Sequence, residues 1–179
     1  MSEHLRPVCL AALLALAPVT TFAETSDCEP LPSSFVLCAQ DTEWNSAVRT
    51  DLGEGVIFQS GERWLEIFDM SEHFPPSIRI EEVLDQIEAE FAQEAASLDL
   101  DEPVTLAREH FHTEHLEVVS LTNRAEVDAG EVESFVIMVA EADGKRISIA
   151  IDPGEDIDPD SLFAATRAVT SLIRPASGG

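Results

Sequence analysis

The chain has 179 residues, a length typical of one ordinary domain, and it carries 35 acidic side chains against 10 Lys and Arg, for a formal net charge of −25. A surface this negative repels nucleic-acid phosphates and anionic lipid headgroups, so we expect neither nucleic acid nor an anionic membrane surface as a partner. The same charge favours basic proteins and cations, although its commonest effect is simply to keep a protein in solution.

The first 23 residues have the features of an export signal. A short polar start containing Arg6 precedes an apolar run, and the small residues Thr21 and Ala23 suit cleavage after Ala23. The run is shorter than the stretch of about 20 apolar residues that crosses a bilayer. We therefore predict a signal peptide at residues 1–23 and a periplasmic or secreted protein with no membrane insertion after its removal. A retained N-terminal anchor is the alternative.

Two cysteines, Cys28 and Cys38, follow the predicted cleavage point. In an oxidising compartment an even pair predicts a structural disulfide, since a redox-active pair normally has the tighter Cys-x-x-Cys spacing. We assign residues 24–34 to an extended lead-in that this disulfide holds, 35–174 to a single α/β domain, and 175–179 to a disordered tail.

The first half of the chain predicts three strands and one helix. A short strand at residues 35–38 is followed by a hairpin with strands at 56–58 and 64–68. A helix begins near Ile80, because its apolar residues recur at intervals of three and four. This apolar stripe consists of Ile80, Val83, Leu84, Ile87, Phe91 and Leu98.

The predicted helix and the segment after it are strongly acidic. From Ile80 to Ala107 the sequence has nine acidic residues and no Lys or Arg. Such a run is usually a solvated helix face, and its functional interpretation is a docking face for an unknown basic protein. The residues that we predict to contact this partner are Glu81, Glu82, Asp85 and Glu88.

The second half of the chain predicts a meander of strands and a closing helix. Two strands, at residues 115–122 and 132–142, flank a turn at 128–131. Asp143 and Gly144 form a strong hairpin signal, since both central residues of such a turn need positive φ. A strand at 146–151 follows, and the last helix begins with Asp158 as its cap and ends before Pro175.

This order of elements predicts an α/β (α+β) domain, in which helices pack on an antiparallel sheet of five to seven strands. It resembles the PsbP-like fold, an α/β/α sandwich, over residues 32–174. The resemblance rests on the hairpin "GVIFQSGERWLEIFDM", the helix "IEEVLDQIEAEF", the meander around "EADGKRISIAI" and the closing helix "PDSLFAATRAVTSLIR". It implies a small exported or lumenal domain that binds other proteins, and it assigns no functional residue.

Three of the five histidines lie in the segment "REHFHTEH", at His110, His112 and His115. In a helix, His112 and His115 would share a face without His110. In a strand, alternation places five side chains on one face: Val104, Leu106, Arg108, His110 and His112. Two imidazoles on that face can bind one divalent metal ion, and His115 can join them after a turn. Arg108 would oppose a cation there, and pH sensing is a further interpretation of the cluster.

The sequence has no nucleophile elbow, phosphate-binding loop, zinc-protease motif or dinucleotide fingerprint. We therefore expect an exported binding or accessory domain that is not an enzyme, needs no cofactor and engages a protein partner. The alternative is a small metal-binding protein that uses His110, His112 and His115 to hold a divalent metal ion.

Overall fold

A computed structural model describes residues 28–128, 131–153 and 157–176, so the predicted signal peptide lies outside the described residues. The first half contains β1 (Glu29–Pro30), β2 (Phe35–Leu37), β3 (Val48–Leu52), β4 (Gly55–Ser60), β5 (Arg63–Asp69) and α1 (Ile80–Ser97). The second half contains β6 (Val104–His112), β7 (Glu117–Asp128), β8 (Glu131–Ala142), β9 (Lys145–Asp152), α2 (Pro159–Thr170) and β10 (Ile173–Pro175).

Seven of these strands form one antiparallel sheet in the order β3-β4-β5-β9-β8-β7-β6. Helix α1 packs on β7 and β8, and α2 packs on β8 and β9. The predicted antiparallel sheet with helices packed on it is therefore confirmed. In the described residues, no helix is long and apolar enough to cross a membrane.

Strand β8 separates two apolar layers. Met138 packs with Leu162 and Val169 of α2, whereas its neighbour Val139 packs with Val83 of α1. Successive side chains of a strand point to opposite faces, so the two helices cover opposite faces of the sheet. This double burial explains why the centre of β8, residues 135–140, is a continuous apolar run rather than an alternation of apolar and polar residues.

The turn and cap signals of the second half occur where they are predicted. Asp143 and Gly144 have φ values of 52° and 70° between β8 and β9. The Asp158 carboxylate accepts a hydrogen bond of 3.0 Å from the amide of Ser161, which caps α2. The predicted end of this helix is wrong, because α2 stops at Thr170 and the chain continues into β10.

A second, three-stranded sheet joins the two ends of the described chain. β2 lies between β1 and β10, and Cys28 and Cys38 form the predicted disulfide beside it. Its buried side chains Phe35, Leu37 and Ile173 belong to the apolar layer under α2. Leu31, in the described part of the predicted lead-in, belongs to the same apolar layer, so this part of the segment packs on the main domain.

Arg146 of β9 is almost fully buried, with 2% of its surface exposed. Its Nε lies 2.5 Å from the Glu141 carboxylate, and its two terminal nitrogens donate to the carbonyl oxygens of Phe74, Pro75 and Ile78 at 3.2, 3.1 and 2.5 Å. A guanidinium has five N–H donors in a fixed plane, so one side chain binds several acceptors at once. Arg146 thereby fastens the segment between β5 and α1 to the sheet.

Replacing Arg146 by Met should lower the free energy of unfolding by about 3–5 kcal/mol, because the half-buried Glu141 carboxylate and three carbonyls lose their buried donor. Arg79→Met is the matched control, since Arg79 pairs with Glu82 on the surface and its loss should change stability by less than about 1 kcal/mol. Urea unfolding followed by circular dichroism measures both. Equal losses in the two variants would contradict an anchoring role for Arg146.

Glu66 lies at the centre of β5, where burial, and then the negative charge of Asp152, raise its pKa above the ordinary value. An acid whose pKa is raised in the folded state destabilises that state at higher pH, and the penalty disappears as the pH falls through the raised folded pKa. We therefore expect Glu66→Gln to increase the free energy of unfolding at neutral pH and to have no effect at about pH 3. Urea unfolding at both pH values tests this. Glu62→Gln, in the exposed turn between β4 and β5, should show no such pH dependence.

Candidate functional site

The histidine segment forms the edge strand β6 and the turn that follows it. His110 and His112 lie on the same face, with ring centroids 5.6 Å apart, as the strand interpretation predicts. His115 lies in the turn, and its Nε2 is 3.9 Å from the carboxylate of Glu114. The structure thus brings two of the three predicted histidines together.

The predicted set of side chains that share a face with these histidines is wrong for Val104. A bulge interrupts the pairing of β6 with β7 between Thr105 and Ala107. Because Leu106 is the extra residue, the alternation shifts, and Val104 lies on the face opposite to Arg108. Thr105 takes the place next to Arg108, and both side chains bind Glu88 of α1.

His110 lies between two carboxylates from different elements. Its Nδ1 is 3.4 Å from Glu81 of α1, and its Nε2 is 3.0 Å from Glu117 of β7. In the part of the chain that the structure describes, this is the one group of three potential metal ligands whose donor atoms all lie within 4.8 Å of one another. We call Glu81, His110 and Glu117 the imidazole–carboxylate cluster.

The acids predicted to contact a partner already have neighbours within the chain. Arg108 binds Asp85 at 2.5 Å and Glu88 at 3.2 Å, and Arg79 binds Glu82 at 2.8 Å. Glu81, the fourth predicted acid, belongs to the imidazole–carboxylate cluster. Two arginines therefore balance much of the negative charge in the N-terminal half of α1: Arg108 on the edge strand β6 and Arg79 immediately before the helix.

A groove of about 280 Å³ lies at the other end of α1, between its last turns and strands β7 and β8. Two acids, Glu94 and Glu126, border it, and no Lys or Arg is among its lining residues. Leu98 is 62% exposed at its edge, an unusual exposure for so large an apolar side chain. The apolar lining includes Phe91, Leu98, Leu100, Pro103, Ala125 and Phe135. We call this the α1 groove.

A larger cavity, of about 480 Å³, lies between the small sheet and β3. The basic side chain in its lining, Arg49, already donates hydrogen bonds to Asp51 at 2.6 Å and to the carbonyl of Pro30 at 2.5 Å. The nearby acids Glu54 and Glu72 and the exposed backbone make it a polar surface depression. It offers fewer apolar contacts than the α1 groove.

The floor and the edge of the α1 groove should respond differently to truncation. Phe91 packs edge-to-face on Phe135 with ring centroids 5.1 Å apart, so Phe91→Ala should cost about 2–4 kcal/mol of unfolding free energy. Leu98→Ala should cost less than about 0.5 kcal/mol, because the side chain is mostly exposed. Urea unfolding measures both. A large loss for Leu98→Ala would assign this residue to the core rather than to a free surface.

Comparison with known proteins establishes the fold. No protein-family profile and no curated protein sequence matches the chain. Among solved structures, it is similar to cyanobacterial PsbP (CyanoP) from Synechocystis sp. PCC 6803, with a TM-score of 0.56 and 14% sequence identity over 86% of this chain and 90% of that chain. The chain therefore has a PsbP-like fold, as the order of its elements indicates. At this identity the similarity assigns no role to individual residues.

Proposed function

We propose that this protein is an exported accessory domain, without catalytic activity, that binds a basic protein partner through the α1 groove. The observation that carries the proposal is an apolar groove with an exposed leucine at its edge and acids at its border. Export is supported by the signal-like N-terminus and by the disulfide between Cys28 and Cys38, a bond that persists in oxidising compartments. The PsbP-like fold supports an accessory role by analogy.

The chemistry of the groove favours one kind of occupant. Covering an exposed leucine such as Leu98 removes apolar surface from water and contributes about 25 cal/mol for each Å² buried. Glu94 and Glu126 flank this surface, and the connecting loop after α1 adds Asp99, Asp101 and Glu102. The complementary ligand is a segment with an apolar side chain between Lys or Arg residues. A second copy of this chain, with its own net charge of −25, would be repelled.

The acids in the two halves of α1 differ in whether they are paired with a cation of this chain. Asp85 and Glu88 are within salt-bridge distance of Arg108, so a partner's cation would compete with this contact. Glu94 is exposed at the border of the groove, next to apolar surface. We therefore place the main contact at the C-terminal half of the helix and assign the predicted acids at its N-terminal half a longer-range attraction.

A designed peptide pair tests this proposal. We expect a fluorescein-labelled peptide with a central Leu between Lys residues to bind, and the same peptide with Glu in place of Lys not to bind. Glu94→Lys and Leu98→Ser should each weaken the binding by about tenfold, the equivalent of about 1.4 kcal/mol. Fluorescence anisotropy at low salt measures the affinities, which should fall as the salt concentration rises.

Two matched control variants test whether a loss of peptide affinity is specific to the α1 groove or follows from any change of surface charge or apolar surface. Glu62→Lys makes the same charge change in the turn between β4 and β5, and Val48→Ser makes a similar change at a valine that is 67% exposed on β3. Both controls should keep the peptide affinity. If the controls weaken binding as much as the groove variants do, the α1 groove is not the docking site.

A further inference from the structure

The imidazole–carboxylate cluster lies at the N-terminal end of α1 and is separate from the groove residues. Its members come from three elements, namely Glu81 from the first turn of α1, His110 from β6 and Glu117 from β7. They are 46%, 40% and 41% exposed, so an ion can reach them from solvent and their side chains are able to reorient. His112 lies directly opposite Glu117 in the pairing of β6 with β7.

We propose that Glu81, His110 and Glu117 hold one divalent transition-metal ion of the zinc type, with His112 as a fourth donor. The site differs from the arrangement that the spacing of the histidines suggests, because Glu81 and Glu117 take the place of His115. It also goes beyond the proposed docking function, since it involves another part of the surface and another ligand.

The distances suit such an ion after small side-chain movements. Zinc binds nitrogen and oxygen at about 2.0–2.2 Å, so two ligand atoms of a tetrahedral site lie about 3.3–3.6 Å apart. His110 Nε2 and the Glu117 oxygen are 3.0 Å apart, and all three donor atoms lie within 4.8 Å of one another. Glu81 faces Nδ1 instead, so an ion on Nε2 requires a rotation of the Glu81 side chain.

The kinds of donor define the class of metal. Calcium and magnesium prefer sites built of oxygen ligands, whereas imidazole nitrogen suits zinc, copper, nickel and iron. The cluster provides one imidazole and two carboxylates, and the ring of His112, whose centroid lies 5.6 Å from that of His110, can supply a second nitrogen. Two imidazoles with carboxylate oxygen form a familiar ligand set for zinc.

The electrostatics near the cluster also favour a cation. Arg108, two residues from His110, is the basic residue that would oppose an ion on this face, but it is paired with Asp85 and Glu88. Two carboxylates of the cluster and the net charge of −25 attract divalent ions.

The test is a titration of the full, metal-stripped chain with zinc chloride alone, followed by calorimetry and native mass spectrometry. We expect one zinc ion per chain, an affinity at least tenfold lower for His110→Ala and for Glu117→Gln, and a higher melting temperature of the wild-type protein in zinc. Cobalt provides a second signal, since its visible absorption bands in a tetrahedral site should disappear in His110→Ala. Circular dichroism establishes that each variant is folded.

His115→Ala and His73→Ala are the matched controls, since His115 lies in the turn after β6 and His73 pairs with Glu54 elsewhere on the surface. Both should bind zinc as the wild type does. The proposal is overturned if zinc binding needs His115 as much as His110, or if only weak, multiple ions bind irrespective of His110. Because the peptide assay contains no metal, its outcome is independent of this one.

Discussion

The buried guanidinium of Arg146 fixes the segment between β5 and α1, and the position of α1 depends on this segment. Besides its side-chain contacts, the Arg146 carbonyl accepts a hydrogen bond of 2.9 Å from the amide of Met70, and its own amide donates to Ser71 Oγ at 3.0 Å. Main chain and side chain together hold residues 70–78, and α1 begins two residues later. The position of α1 on the sheet in turn creates both the α1 groove and the imidazole–carboxylate cluster.

The two ends of α1 differ in how their charge is balanced. At the N-terminal end, Arg108 and His110 of the edge strand face the acids of the helix, so this end is tied to β6. At the C-terminal end, apolar surface such as Leu98 is exposed beside Glu94. One helix therefore presents a mixed imidazole and carboxylate surface at one end and an apolar, acidic surface at the other.

Local features of the fold were predictable from the sequence, and non-local ones were not. The apolar stripe of α1 and the Asp143–Gly144 turn depend on residues close in sequence. Strand β3 has a largely polar, exposed sequence without the usual strand signal, so pattern alone does not reveal it. The shared face of His110 and His112 follows from alternation, but the bulge at Leu106 and the meeting of His110 with Glu81 and Glu117 depend on strand register and helix docking.

Through its contacts with the carbonyls of Phe74, Pro75 and Ile78, Arg146 holds the segment before α1, and with it α1, in place. Hydrogen–deuterium exchange of the wild type and Arg146→Met tests this anchoring, because exchange reports local opening along the chain. Because the lower global stability reduces protection everywhere, we expect residues 70–97 to lose at least about tenfold more protection in the variant than β7 and β8 do. Unchanged exchange, or an equal loss of protection across the whole sheet, would contradict it.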